Sequence, residues 1–162
     1  MPHLSILIII GGKFMNSYWI DSIKNNNNYS NLTKNISADV CIIGTGIFGL
    51  SCGYYLSKKG LKVVILDKNN ISEKVTGHTT GKITSQHNII YKYLIDSLGE
   101  NLAKQYLNAN LEAIQNIRNI IEKENINCDF EVQDSYVYTT DPNELEKLHL
   151  ENQAVNSLRF QK

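Results

Sequence analysis

Three glycines, Gly44, Gly46 and Gly49, lie six positions from end to end in Gly44-Thr45-Gly46-Ile47-Phe48-Gly49, and a carboxylate, Asp67, follows later in the chain. Those residue types suit one chemistry, the grip of a phosphate-bearing dinucleotide. Gly44 allows a tight turn out of a strand. Gly46 has no side chain, so backbone can approach a pyrophosphate closely. Gly49 lets a following helix pack against the strands. A helix that begins at Ile47 and Phe48 turns unpaired N–H groups and a partial positive charge toward the phosphates. Asp67 stands about 20 residues beyond the glycines, where a carboxylate accepts hydrogen bonds from a ribose hydroxyl. A carboxylate there repels a 2′-phosphate, which favours FAD or NAD over NADP. Lys68 is the one adjacent cation, and a lysine in that position more often points to solvent.

A second polar cluster follows in Thr76-Gly77-His78-Thr79-Thr80-Gly81-Lys82-Ile83-Thr84-Ser85-Gln86-His87. A loop in this position lies near the carboxyl ends of the strands, where open α/β sheets bind ligands. Thr79 and Thr80 suit donation to phosphate or ribityl oxygens, and Gly77 and Gly81 suit a tight wrap with exposed N–H groups. The competing reading is a solvated, threonine-rich loop. His78 and His87 lack a carboxylate or cysteine at a metal-ligand spacing, so no metal site is expected. Neither has a recognisable serine or cysteine nucleophile as partner, so no catalytic residue is assigned.

The elements that must position these residues are legible around them. Val40, Cys41, Ile42 and Ile43 form an apolar, partly β-branched run that reads as a buried strand. Residues 47–59 place Ile47, Leu50 and Tyr54 on one helical face, and Gly60 suits a helix C-cap. Val63, Val64, Ile65 and Leu66 form the second strand, closed by Asp67. The fold class is therefore α/β: an incomplete Rossmann-like FAD/NAD(P)-binding βαβ unit, followed by a different layer. Periodicity predicts that the chain turns helical from Tyr91, with a long helix over about residues 99–124. Phe130, Val132, Tyr136 and Tyr138 suggest one or two strands. Thr140 or Asp141, then Pro142 and Glu144, mark the start of a last helix through Leu145, Leu148 and Ala154. The expected divisions are 1–37 (extension and arm), 38–90 (cofactor-binding βαβ unit and loop) and 91–162 (helical segment and the start of a substrate domain).

Composition bounds the function. The 162 residues suffice for one ordinary domain. A formal net charge of zero argues against nucleic-acid binding by phosphate neutralisation. The apolar run at residues 4–10 is too short to span a bilayer, and no basic flank or small-residue cleavage site makes it a secretory leader. Met15 reads as the natural start, and residues 25–28, all asparagine, as an exposed linker. Cys41, Cys52 and Cys128 form no pairing or metal pattern and fit a reducing cytoplasm.

Ser17-Tyr18-Trp19-Ile20-Asp21-Ser22, the glycine motif and the His78-Thr79-Thr80 loop together make the sequence resemble the FAD-dependent oxidoreductases of the D-amino-acid-oxidase and glycine-oxidase type. Within that group it looks most like the bacterial branch with a C-terminal Rieske [2Fe-2S] domain. The resemblance covers about residues 18–155. It implies noncovalent FAD, with pyrophosphate over residues 44–49 and the adenosine ribose on Asp67. It implies hydride transfer from a small amine or amino-acid-like substrate to the flavin, with no nucleic-acid or membrane partner. Family members usually carry glutamate at the Asp67 position; aspartate is one methylene shorter. The remaining sheet strands and the flavin-ring lining are absent, so an N-terminal fragment inactive by itself is expected. Two other readings compete: an NAD-binding dehydrogenase domain, and a non-enzymatic subunit whose sheet a partner chain completes.

Overall fold

A computed structural model describes residues 17–22 and 29–160. The readings made for residues 4–10, Met15 and residues 25–28 lie outside them. The chain divides into two compact units, one ending at Gly81 and one beginning at Lys82.

The first unit is built on two parallel strands, β1 (Val40–Ile43) and β2 (Val63–Leu66), in register from Val40 opposite Val63 to Ile43 opposite Leu66. Parallel strands cannot be joined by a tight turn, and the crossover is helix α2 (Ile47–Lys58). Asp39 clamps the start of the pair, its carboxylate accepting from the Lys62 N–H at 2.7 Å. At the other end the Gly44 N–H donates to the Leu66 carbonyl at 2.7 Å, carrying the ladder into the glycine turn. Helix α2 closes on Gly60, φ +84°. The Gly60 N–H bonds the Ser57 carbonyl and the Leu61 N–H the Leu56 carbonyl, a Schellman ending that satisfies the last carbonyls.

Of Ile47, Leu50 and Tyr54, the last two are half-buried, and the face that α2 turns to the sheet includes Gly49 and Gly53. Ile47 is 65% exposed, and the buried residues of the helix are Gly49 and Gly53. A Cβ on Gly53 would stand 2.6 Å from Ile65 Cδ1, and one on Gly49 would lie 3.3 Å from Ile42 Cγ2. The missing side chains at these two positions let the helix backbone approach the sheet closely. Before the strands, the short helix α1 (Tyr18–Ser22) packs on the loop after β2. The Trp19 indole N–H donates to the Thr79 carbonyl at 2.7 Å, and its ring lies where a side chain on Gly81 would stand.

The second unit packs three helices: α3 (Tyr91–Leu98), α4 (Glu100–Lys123) and α5 (Leu145–Phe160). Gly99, φ +82°, ends α3 and starts α4. Tyr91, Leu94, Ala103, Leu107, Ala154 and Leu158 form the core. Glu151, also buried, reaches from α5 to the first turn of α3. Its Oε1 accepts from the Ile90 and Tyr91 N–H groups at 3.0 Å each, and its Oε2 from the Lys92 N–H at 2.9 Å. A carboxylate on the N-terminal donors of a helix satisfies them and suits the helix dipole. Asp141 caps the last helical segment, accepting from the Asn143 N–H at 2.9 Å ahead of a 3₁₀ turn, Pro142–Glu144.

One expectation is corrected. Phe130, Val132, Tyr136 and Tyr138 do not lie in strands: residues 129–139 carry no ladder, and Val132, Tyr136 and Tyr138 are exposed. A β-prone stretch becomes a strand only by pairing with another strand, and the strands among the described residues, β1 and β2, pair with each other. Among those residues, too, no helix is long and apolar enough to cross a membrane.

Candidate functional site

The glycine turn and Asp67 meet at the carboxyl ends of β1 and β2, as parallel pairing demands. Gly44 has φ +107°, a conformation that side-chain-bearing residues avoid. Gly46 sits at the N-cap of α2 with φ −70° and ψ 172°, and a Cβ there would be 3.6 Å from the Thr76 hydroxyl, an ordinary contact. Nothing in the fold itself demands glycine at position 46. Gly49 is different, because a Cβ would overlap the Gly44 carbonyl oxygen.

The first turn of α2 presents its N–H groups above this turn. Leu50 makes the first intrahelical bond, to the Gly46 carbonyl at 3.0 Å. The Ile47 N–H donates to the Thr76 hydroxyl at 3.1 Å. The N–H groups of Phe48 and Gly49 have no partner among the described residues, leaving two donors at the positive end of a helix dipole.

Asp67 is tied to the turn by residues on both sides of it. Its Oδ2 accepts from the Thr45 N–H and the Thr45 hydroxyl, each at 2.7 Å, and its Oδ1 accepts from the Asn69 N–H at 2.9 Å. The Asn69 N–H, then the Thr45 hydroxyl and the Thr45 N–H, favour the charged form and hold the carboxyl well below the usual carboxylate range. Ser72 completes the cluster: its N–H donates to the Thr45 hydroxyl at 3.3 Å and its hydroxyl to the Thr45 carbonyl at 3.1 Å. Beside these residues opens a cleft of about 260 Å³, lined by Thr45, Gly46, Asp67, Asn70, Ser72 and Thr76 among others.

Of the residues singled out in the sequence, Gly44, Gly46, Ile47, Phe48, Gly49 and Asp67 come together. Lys68 is exposed. His78 lies in a 3₁₀ turn (Thr76–His78), where its Nδ1 donates to the Lys74 carbonyl at 2.7 Å. The Thr79 hydroxyl accepts from the Gly81 N–H at 3.2 Å, and Thr80 is exposed. Within this loop the bond to the glycine turn is made by Thr76. Thr45, Ser72 and Thr76 were not singled out. Thr45 carried a usable signal, a hydroxyl inside a glycine turn whose partner strand ends in an acid. Thr76 opens the hydroxyl-rich loop but shares its signal with every threonine there, and Ser72 carried none. No group of three or more His, Cys, Asp or Glu is placed to hold a metal among the described residues.

The chain matches the family model described as FAD dependent oxidoreductase over residues 39–160. It is 38% identical over 131 residues to the Bacillus subtilis protein YhfW, whose name describes a Rieske 2Fe-2S iron–sulfur protein; the match covers 81% of this chain and 26% of that one. It is 35% identical over 114 residues to the Haemophilus influenzae protein OrdL, named as an oxidoreductase, covering 70% of this chain and 26% of the relative. It is 27% identical over 114 residues to the gamma-glutamylputrescine oxidoreductase of Escherichia coli, covering 70% and 27%. The chain thus spans about a quarter of the length of the curated relatives it matches. No solved structure matches it significantly.

Proposed function

Because the chain belongs to the FAD-dependent oxidoreductase family, we propose that its glycine turn and Asp67 hold the adenosine-diphosphate half of FAD in an oxidoreductase acting on a small amine or amino-acid-like molecule. The observation that carries this reading is the pair of N–H groups, Phe48 and Gly49, without a partner among the described residues, beside Gly46, a glycine that the fold itself does not demand. A pyrophosphate fits that arrangement: two backbone donors, a helix dipole and a close-approach surface. Gly44, Gly46, Ile47, Phe48 and Gly49 line the phosphates in this reading. Asp67 faces the ribose across the adjoining cleft, and Lys68, His78, Thr79 and Thr80 are assigned to its outer polar contacts.

FAD, when bound, supplies the two-electron acceptor. The chain's own residues bind and orient it, with Asp67 ionised at every physiological pH and the α2 N-terminus matched to anionic oxygens. In this reading residues 38–90 are the cofactor-binding part, residues 91–162 begin the substrate-binding part, and the setting is cytoplasmic. The amine-type substrate is supported by the named Escherichia coli relative. We also propose that this chain by itself holds FAD weakly and turns over nothing, since its described residues contribute only the adenosine side of the site. Equilibrium dialysis of the full chain against FAD, with ADP as competitor, tests the assignment. Weak FAD binding that ADP displaces supports it. FAD binding that ADP leaves untouched, or no binding of either, refutes it.

A further inference from the structure

Thr45 occupies the first variable position of the glycine turn, yet it is only 6% exposed and bonded on every polar atom that the structure shows in use. Its hydroxyl has one proton. A carboxylate at neutral pH only accepts, so that proton points at Asp67 Oδ2, and the hydroxyl's lone pair takes the Ser72 N–H. The Thr45 backbone N–H points at the same Asp67 oxygen. Two donors at 2.7 Å on one oxygen, with the Asn69 N–H at 2.9 Å on the other, fix both side-chain torsions of a short residue. A carboxylate offers about four acceptor positions. Oδ2 has both of its own filled by Thr45, and Oδ1 takes the Asn69 N–H, with the Asn69 side chain also favouring the charged form from that side.

We propose that Thr45 is a positioning residue for adenine-dinucleotide recognition, anchoring Asp67 through Oδ2 so that a single ribose hydroxyl is read, through Oδ1 alone. This rests on the cofactor assignment above and goes beyond it. An unanchored acid in this place has acceptor positions for both ribose hydroxyls. Here the threonine hydroxyl occupies one of them. The low carboxyl pKa agrees with a group whose charged form is held by the Asn69 N–H, the Thr45 hydroxyl and N–H, and the Asn69 side chain before any ligand arrives. Ser72 in turn holds Thr45, so the loop after β2 sets the orientation of the acid through the glycine turn.

The test is calorimetric titration of the full chain with ADP, 2′-deoxy-ADP and 3′-deoxy-ADP. One of the two deoxy analogues binds within about twofold of ADP and the other about tenfold more weakly, the size of one hydrogen bond to a charged group. Thr45→Ser keeps the hydroxyl and keeps that one-sided pattern. Thr45→Val removes the hydroxyl, frees a position on Oδ2, and makes both analogues weaker than ADP. A role confined to bracing the turn lowers affinity for all three ligands alike and leaves their ratios unchanged. Equal losses for both analogues with the wild-type chain overturn the proposal with no variant needed. So does an unchanged one-sided pattern in Thr45→Val. Absence of any ADP binding by the wild-type chain overturns the cofactor assignment itself, and this inference with it, and is distinguished by the missing heat for the parent ligand.

Discussion

Gly46→Ala separates what the turn needs for folding from what it needs for a ligand. The backbone at Gly46, φ −70° and ψ 172°, suits any residue, and the new methyl would lie 3.6 Å from the Thr76 hydroxyl, in open contact. Two folding effects oppose each other. Alanine restricts the unfolded chain and stabilises by about 0.4–1 kcal/mol. It is also a poorer N-cap than glycine, by about 1 kcal/mol. The net change in stability is within about 1 kcal/mol of zero. The ligand meets a different surface. A methyl between the turn and a pyrophosphate holds the phosphate oxygens away from the Phe48 and Gly49 N–H groups. Each such bond to a charged group contributes about 1.5–3 kcal/mol. Losing even the smaller value twice gives about 3 kcal/mol, or roughly a hundredfold in dissociation constant. Urea unfolding followed by Trp19 fluorescence reads the first. The chain has one tryptophan, and it packs within the same compact unit. Titration with ADP reads the second. A Gly46→Ala chain that binds ADP as the wild type does would refute the reasoning, as would one that loses its fold.

Gly49→Ala has the opposite profile: its Cβ overlaps the Gly44 carbonyl oxygen, a backbone atom, so it destabilises the first unit by about 2–3 kcal/mol. Gly53→Ala brings its Cβ within 2.6 Å of Ile65 Cδ1, the end of a side chain that can shift, and regains helix propensity, so it costs less than Gly49→Ala, and equal urea midpoints for the two variants would contradict this. Glu151→Ala strips the buried first turn of α3 of the acceptor for three N–H groups and destabilises the second unit by about 3 kcal/mol, seen as an earlier loss of far-ultraviolet helical signal in urea. Asp67 has a folded pKa below its ordinary 3.8, so its stabilisation is present above that value and is lost as pH falls below it toward the folded value. The stability gap between wild type and Asp67→Asn is therefore constant near neutrality and narrows below about pH 4; a gap that widens in acid would show that the carboxylate is not held in its charged form.

What the sequence made legible were features enforced locally. The glycine spacing, the two apolar runs and the closing acid specify a βαβ unit because strand, turn and crossover are contiguous. Gly60, and a cap at Thr140 or Asp141, were readable because capping bonds reach only a few residues. The helical run from Tyr91 was readable from its period. What was not legible depends on residues distant in sequence. The apolar stripe Ile47, Leu50 and Tyr54 did not show that α2 approaches the sheet through Gly49 and Gly53, because a residue without a side chain leaves no hydrophobic signal. Residues 130–138 have strand-like composition but lie without a ladder, since composition cannot supply a neighbour. Glu151 on the α3 N-terminus joins positions about 60 apart, and nothing near either end announces it. At the site, the backbone donors were foreseeable from the motif, whereas the Thr45–Asp67–Ser72 cluster needed three segments in place.

The most direct test of the central claim is an amide ¹H–¹⁵N correlation spectrum of the full chain titrated with ADP. The largest shifts are expected on Phe48 and Gly49, whose N–H groups gain phosphate partners, with smaller ones on Thr45 and Asn69 around the carboxylate. Shifts confined to residues elsewhere, with the Phe48 and Gly49 resonances unmoved at saturation, would contradict it.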